Sequence, residues 1–209
     1  GETFLATALE SGEGGTTAKL YAERGWSERV TFGIDVYWDA GDQNGEALTF
    51  ARRTTGPLNA RSVWALGLGL GAGYREQPLY YYAPDLSLQS LDEGIYGAFA
   101  RFSAHYGRGT DWGWVAVDGA YDLGRIWSRE TGESDYFDRR KLDLTVGYHV
   151  TKRLSTMGQV MATEQDSEVY TTLGLSGLRR YGEPTVELGL RQDVDAEETT
   201  LRLGLWRSF

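Results

Sequence analysis

Leu201-Arg202-Leu203-Gly204-Leu205-Trp206-Arg207-Ser208-Phe209 closes the chain. Leucine alternates there with arginine and glycine, which in a strand puts the leucines on one face and Arg202 and Gly204 on the other. The same period of two recurs upstream. Val30, Phe32, Ile34, Val36 and Trp38 alternate with Thr31, Gly33, Asp35 and Tyr37. Between 60 and 75, Trp64, Leu66, Leu68, Leu70 and Tyr74 oppose Ala65, Gly67, Gly69, Gly71 and Gly73. Counting such stretches predicts about twelve strands, at 2–10, 16–24, 30–38, 45–55, 60–75, 94–106, 111–127, 138–150, 153–164, 168–178, 184–192 and 197–209.

An even number of alternating segments is what a closed antiparallel membrane barrel requires. The 209 residues fit one domain, read as a single barrel over 1–209. No stretch approaches the roughly 18 to 20 apolar residues of a membrane helix. A barrel escapes that requirement, because only every second residue faces lipid. The breaks after even-numbered segments are short, whereas the odd-numbered breaks include the two longest, 75–93 and 128–137. Membrane barrels pair short periplasmic turns with longer outer loops, which predicts both termini on the periplasmic side. The apolar faces also end in aromatics: Trp38, Tyr74, Tyr96 and Trp127 toward the long breaks, Trp26, Trp64, Tyr106, Trp112 and Tyr148 toward the short ones. Two such girdles belong at the two lipid–water interfaces. A soluble β-sandwich has strands of about 5 to 6 residues and a polar solvent face, and fits neither feature.

The final segment resembles the C-terminal recognition strand of bacterial outer-membrane β-barrel proteins. Leu201, Leu203 and Leu205 alternate, Gly204 precedes the end by a few positions, and Phe209 is terminal. Arg207 departs from the usual apolar residue, and its stem can snorkel at a membrane edge. The resemblance implies an outer-membrane location in a Gram-negative bacterium. It also implies insertion by the outer-membrane assembly machinery and contact with outer-membrane lipids and lipopolysaccharide.

Several chemistries are disfavoured. The absence of cysteine removes disulfides, thiolate metal sites and a Cys nucleophile. A net charge of -9 argues against nucleic acid. Two histidines alone make a poor transition-metal site, and no cofactor is expected. No basic and apolar leader opens the chain at Gly1, so a secreted form has had its signal peptide removed or replaced. His105 and His149 both end even-numbered segments, which predicts rim-exposed, partly solvated rings. Ser103 shares a face with His105, but nothing in the sequence shows that they act together. Barrel lipid hydrolases hold their Ser–His pair near the outer leaflet, so no catalytic residue is assigned.

Gly67-Leu68-Gly69-Leu70-Gly71-Ala72-Gly73 lacks the following helix that a nucleotide-binding loop needs. It reads as a glycine face that widens the lumen or lets something pack there. The acidic run Asp39-Ala40-Gly41-Asp42-Gln43-Asn44-Gly45-Glu46 is read as a solvated loop rather than a calcium site. Leu79-Tyr80-Tyr81-Tyr82-Ala83-Pro84 falls in the longest break, open to sugar or partner contact, to inward folding, or to packing on the rim.

The inward-facing charges are the candidate functional set: Lys19, Glu23, Asp35, Arg101, Asp118, Asp122, Lys141, Asp143, Glu187, Arg191 and Arg202. Glu187 is predicted to pair with Arg202, and Asp118 to lie diagonal to Arg101. Such charges either stiffen the wall or form a constriction that selects solutes. The leading expectation is a narrow passive channel for small polar solutes or ions. The alternative is a non-conducting anchor or export barrel, part of a longer envelope protein, with an outer-membrane lipid hydrolase third.

Overall fold

The computed structural model describes residues 2–12, 15–41, 43–57, 61–82, 88–165, 167–181 and 184–209, with strand side chains outside 77–82 and 88–93. Twelve strands follow in chain order: β1 (Thr3–Gly12), β2 (Gly15–Gly25), β3 (Val30–Asp39), β4 (Asn44–Thr55), β5 (Ser62–Tyr82) and β6 (Leu88–Gly109). The second half adds β7 (Gly113–Ser128), β8 (Ser134–His149), β9 (Leu154–Gln165), β10 (Glu168–Arg180), β11 (Thr185–Asp193) and β12 (Thr199–Ser208). Each strand pairs antiparallel with its chain neighbours, and β12 returns to β1, with Phe4 opposite Ser208 and Glu10 opposite Arg202. The closed ladder satisfies the backbone of every strand on both sides, which an open sheet in lipid cannot do.

All twelve expected segments are strands. The two long breaks are shorter than expected. β5 runs on to Tyr82 and β6 starts at Leu88, while β8 already begins at Ser134. The register that pairs Tyr74 with Tyr96 continues without a slip to Tyr82 opposite Leu88. Ladder hydrogen bonds need no lipid, so a hairpin can project past the membrane once its register is set. β5 to β8 therefore have 16 to 22 residues each, and their projection distinguishes a hairpin end from the end that carries the termini. The backbone of Leu79–Tyr82 lies in that hairpin, while Ala83 and Pro84 lie outside the described residues.

The alternation sorts side chains as expected. Leu66, Leu68 and Leu70 are exposed on the outer face, Leu70 by 69%. Leu142, Leu144, Leu173, Leu175, Leu188, Leu190, Leu201, Leu203 and Leu205 continue the band around the barrel. An apolar surface of this extent is stable against hydrocarbon, not water. Aromatic pairs border it. Trp64–Tyr106 and Trp112–Tyr148 lie toward the termini, with ring centroids 4.5 and 6.4 Å apart. Tyr74–Tyr96 and Tyr96–Trp127 lie toward the hairpin end, at 5.1 and 6.2 Å. Outward Arg24, Arg53, Arg108, Arg179 and Arg207 sit at the termini end of β2, β4, β6, β10 and β12, beyond the apolar band.

The glycine face of β5 is packed over. A Cβ on Gly71 would lie 2.1 Å from the Phe99 ring, one on Gly67 2.3 Å from Ser103 Oγ, and one on Gly69 2.8 Å from Leu48. Of the two readings of these glycines, the close approach of neighbouring side chains is the one the fold realises.

Candidate functional site: the charged lumen

The structure places all eleven sequence-selected charges on strand positions that face the lumen. Cross-strand register then sorts them into groups that alternation alone cannot define. The first group lies on β4, β6, β7 and β8. Arg101 stands directly opposite Asp122, and its Nε donates to Asp122 Oδ1 at 2.6 Å. Arg139 reaches the same carboxylate from the other side, its Nε 2.9 Å from Oδ2. Both guanidinium groups also donate to Glu46, at 3.4 Å from Arg101 and 2.6 Å from Arg139. Asp122 is fully buried. Phe99 lies beside both arginines, with their guanidinium carbons 5.5 and 5.4 Å from its ring centroid.

This first cluster corrects two expectations. Arg101 pairs with Asp122 rather than diagonally with Asp118, because Asp118 is in register with His105. Glu46, read as part of an acidic loop, is an inward residue of β4, which starts at Asn44. It meets Arg101 and Arg139 because β5 offers only glycine in between: Gly73 stands opposite Glu46 and Gly69 opposite Arg101. Asp39 instead caps its own turn, accepting from Gly41 N–H at 2.8 Å. Among the described residues no group of three potential metal ligands converges.

The second group lies at the seam, on β1, β2, β10, β11 and β12. Glu10 accepts from Lys19 at 3.2 Å, contacts Arg191 Nε at 3.2 Å and pairs with Arg202. Arg202 Nε donates to Glu187 Oε1 at 2.8 Å, and Ser176 donates to the same oxygen at 2.9 Å. The predicted Glu187–Arg202 pair therefore forms, although diagonally. Gly204 stands opposite Glu187 and Gly189 opposite Arg202. Gly204 thus has a packing reason of its own: a Cβ there would lie 2.7 Å from Glu187 Oε2. That Oε2 is buried with no hydrogen-bond partner among the described atoms.

A cavity of about 180 Å³ opens between the first cluster and the termini end of the same half. Arg52 on its wall pairs with Glu23. His105 also faces this cavity instead of lying solvated at the rim, because β6 continues to Gly109 and Asp118 stands opposite the ring. His105 Nδ1 lies 2.6 Å from Asp118 Oδ1, and Nε2 lies 3.0 Å from Ser103 Oγ. With Nδ1–H donating to the carboxylate, a neutral ring leaves Nε2 to accept from the Ser103 hydroxyl. His149 is exposed near the rim, 3.0 Å from Ser155 Oγ. Asp35, Lys141 and Asp143 also line the cavity. They hold no ion pair within 4.0 Å and no hydrogen bond among the described residues.

Sequence reasoning missed Glu10, Glu46, Arg52 and Arg139. Glu10, Glu46 and Arg52 lie on β1 and β4, where the sequence reading selected no inward charge. Arg139 shares strand parity with a selected residue, two positions before Lys141, a signal available without coordinates.

No family model matches the sequence, and no curated protein matches it either. Solved structures do. The KdgM porin aligns with TM-score 0.59 and 13% identity over 99% of each chain. The same porin in complex with disordered oligogalacturonate gives 0.58 and 12%, over 100% of this chain and 99% of the other. The translocator domain of the autotransporter NalP from Neisseria meningitidis gives 0.62 and 10%, over 100% of this chain and 87% of the other. At such identities the likeness establishes the fold, which is that of twelve-stranded outer-membrane barrels.

Proposed function

We propose that this protein is a narrow passive channel of the bacterial outer membrane, admitting small polar solutes or ions. One observation carries the reading. The lumen contains a cavity whose Asp35, Lys141 and Asp143 form no hydrogen bond and no ion pair within 4.0 Å among the described residues. Carboxyl and amino groups that form no hydrogen bond with the protein persist inside it only where water satisfies them, so the cavity is wet. Its volume accommodates on the order of ten waters, enough for a small solute. The KdgM complex with oligogalacturonate supports the view that a barrel of this shape can admit a polar chain.

The export reading draws on the likeness to the NalP translocator. It is disfavoured by the Glu46–Arg139 contact, which joins strands four apart across the lumen. A polypeptide helix about 10 Å across would have to break that contact. An enzyme reading draws on Ser103, His105 and Asp118, whose spacing is that of a nucleophile, base and orienting acid. They face the lumen, out of reach of membrane lipid, and we assign them to the channel lining. Labelling of Ser103 by a fluorophosphonate would overturn that assignment.

We also infer that the termini face the periplasm and that the outer band meets phospholipid and lipopolysaccharide. Leu201, Leu203, Gly204, Leu205 and Phe209 then act as the signal read by the assembly machinery. The channel is tested in planar bilayers. A barrel shown to be folded by its gel shift without boiling should give discrete conductance steps, and a folded but silent barrel sinks the proposal.

A further inference from the structure

The lumen is rich in arginine, and on a simple count of basic residues it would attract anions. The pairing reverses that expectation. Arg52, Arg101, Arg139, Arg191 and Arg202 are each held by a carboxylate. Their charge is compensated within a few ångströms. What a solute meets in the cavity is the remainder. Among the described residues Asp35 and Asp143 form no hydrogen bond and no ion pair within 4.0 Å, and Asp118 is ion-paired only with His105. Against these three carboxylates stands one ammonium, that of Lys141. By formal charge at pH 7, which counts histidine as zero, the cavity carries two negative charges in surplus.

The other clusters do not cancel that surplus. Glu46 and Asp122 balance Arg101 and Arg139, and Glu23 balances Arg52. At the seam, Lys19, Arg191 and Arg202 exceed Glu10 and Glu187 by one positive charge. Those two arginine side chains are only 13% exposed. The lumen groups so counted therefore remain negative overall, with the excess concentrated where the water is. A low-dielectric wall focuses such a field along the passage and enriches counter-ions there.

Resting on the channel reading above, we propose that the passage selects cations: small inorganic cations and ammonium-bearing solutes enter in preference to acidic ones. Lys141 acts as a tethered counter-ion that moderates the selectivity. Asp35 and Asp143 set its sign.

Reversal potentials across a bilayer in a potassium chloride gradient test this. The wild-type barrel should favour potassium over chloride, on the order of tenfold at low salt, less as salt screens the field. The double variant Asp35→Asn/Asp143→Asn should bring the ratio close to one, and Lys141→Gln should raise it above wild type. Neither change removes an ion pair, so both barrels should keep the gel shift of a folded protein. Should the double variant fail to fold, Lys141→Gln alone decides. Chloride preference in the wild type, or a ratio unmoved by Lys141→Gln, overturns the inference while leaving the channel intact. A folded wild-type barrel without conductance overturns the channel reading itself, and the selectivity with it.

Discussion

The two charged clusters solve the same problem by different routes. At the seam, Glu10, Lys19, Arg191, Arg202 and Glu187 lie on strands that adjoin or nearly adjoin one another, so ordinary cross-strand reach suffices. On the opposite side, Glu46 contacts arginines two and four strands away. That contact exists because β5 contributes glycine where any other residue would put a side chain in the way. The seam cluster ties the last strand to the first and holds the ring closed. The crossing cluster narrows the lumen and leaves the cavity beside it. One side is therefore organised by chain neighbours, the other by a wall with its side chains removed.

The contrast can be broken by removing the acid at each centre. Asp122→Ala should have the largest effect, because it takes a fully buried carboxylate from both Arg101 and Arg139 and leaves the two guanidinium groups to share Glu46 alone. Losing one partner of a buried ionic cluster costs about 3–5 kcal/mol, to be read from urea unfolding of the folded barrel in lipid vesicles. Glu10→Gln should cost less, about 2–3 kcal/mol, since Glu187 still holds Arg202. The reverse order would mean that seam closure, not the crossing, dominates stability.

The glycine wall gives a sharper comparison. Gly71→Ala sets a Cβ 2.1 Å from Phe99, and overpacking of this kind costs about 1–3 kcal/mol. Combining it with Phe99→Leu should recover part of that loss, a coupling that a double-mutant cycle resolves. An additive result would show that the glycines are not there to admit Phe99. The smallest effect belongs to the cavity. Lys141→Gln breaks no ion pair and should change unfolding stability by less than about 0.5 kcal/mol, while altering ion selectivity.

Much of the architecture was legible in sequence. Trp64, Leu66, Leu68 and Leu70 against a row of glycines leaves one orientation in a membrane barrel, and the structure adopts it. Partner choice was legible only in part, even between adjoining strands. Glu187 and Arg202 lie on consecutive strands, and counting through the turn brought them within one diagonal step. For Arg101 the same reasoning chose Asp118, four residues from its actual partner, because a strand can slide by two residues without changing which face a side chain takes. Arg139 and Glu46 lie 93 positions apart, beyond any counting of turns. Gly204 was visible as part of the terminal motif, but its room for the Glu187 carboxylate depends on the register of β11 against β12.

The closing strand therefore marks the division. By itself the sequence determined the alternation of faces, the number of strands and the inward direction of Arg202, because those follow from a period of two imposed by local backbone geometry. Tertiary structure alone decided that Arg202 joins Glu10 of the first strand as well as Glu187. It also decided which lumen charges are compensated within the wall and which are not. Those outcomes depend on register and on closure of the ring, long-range properties that no local pattern encodes.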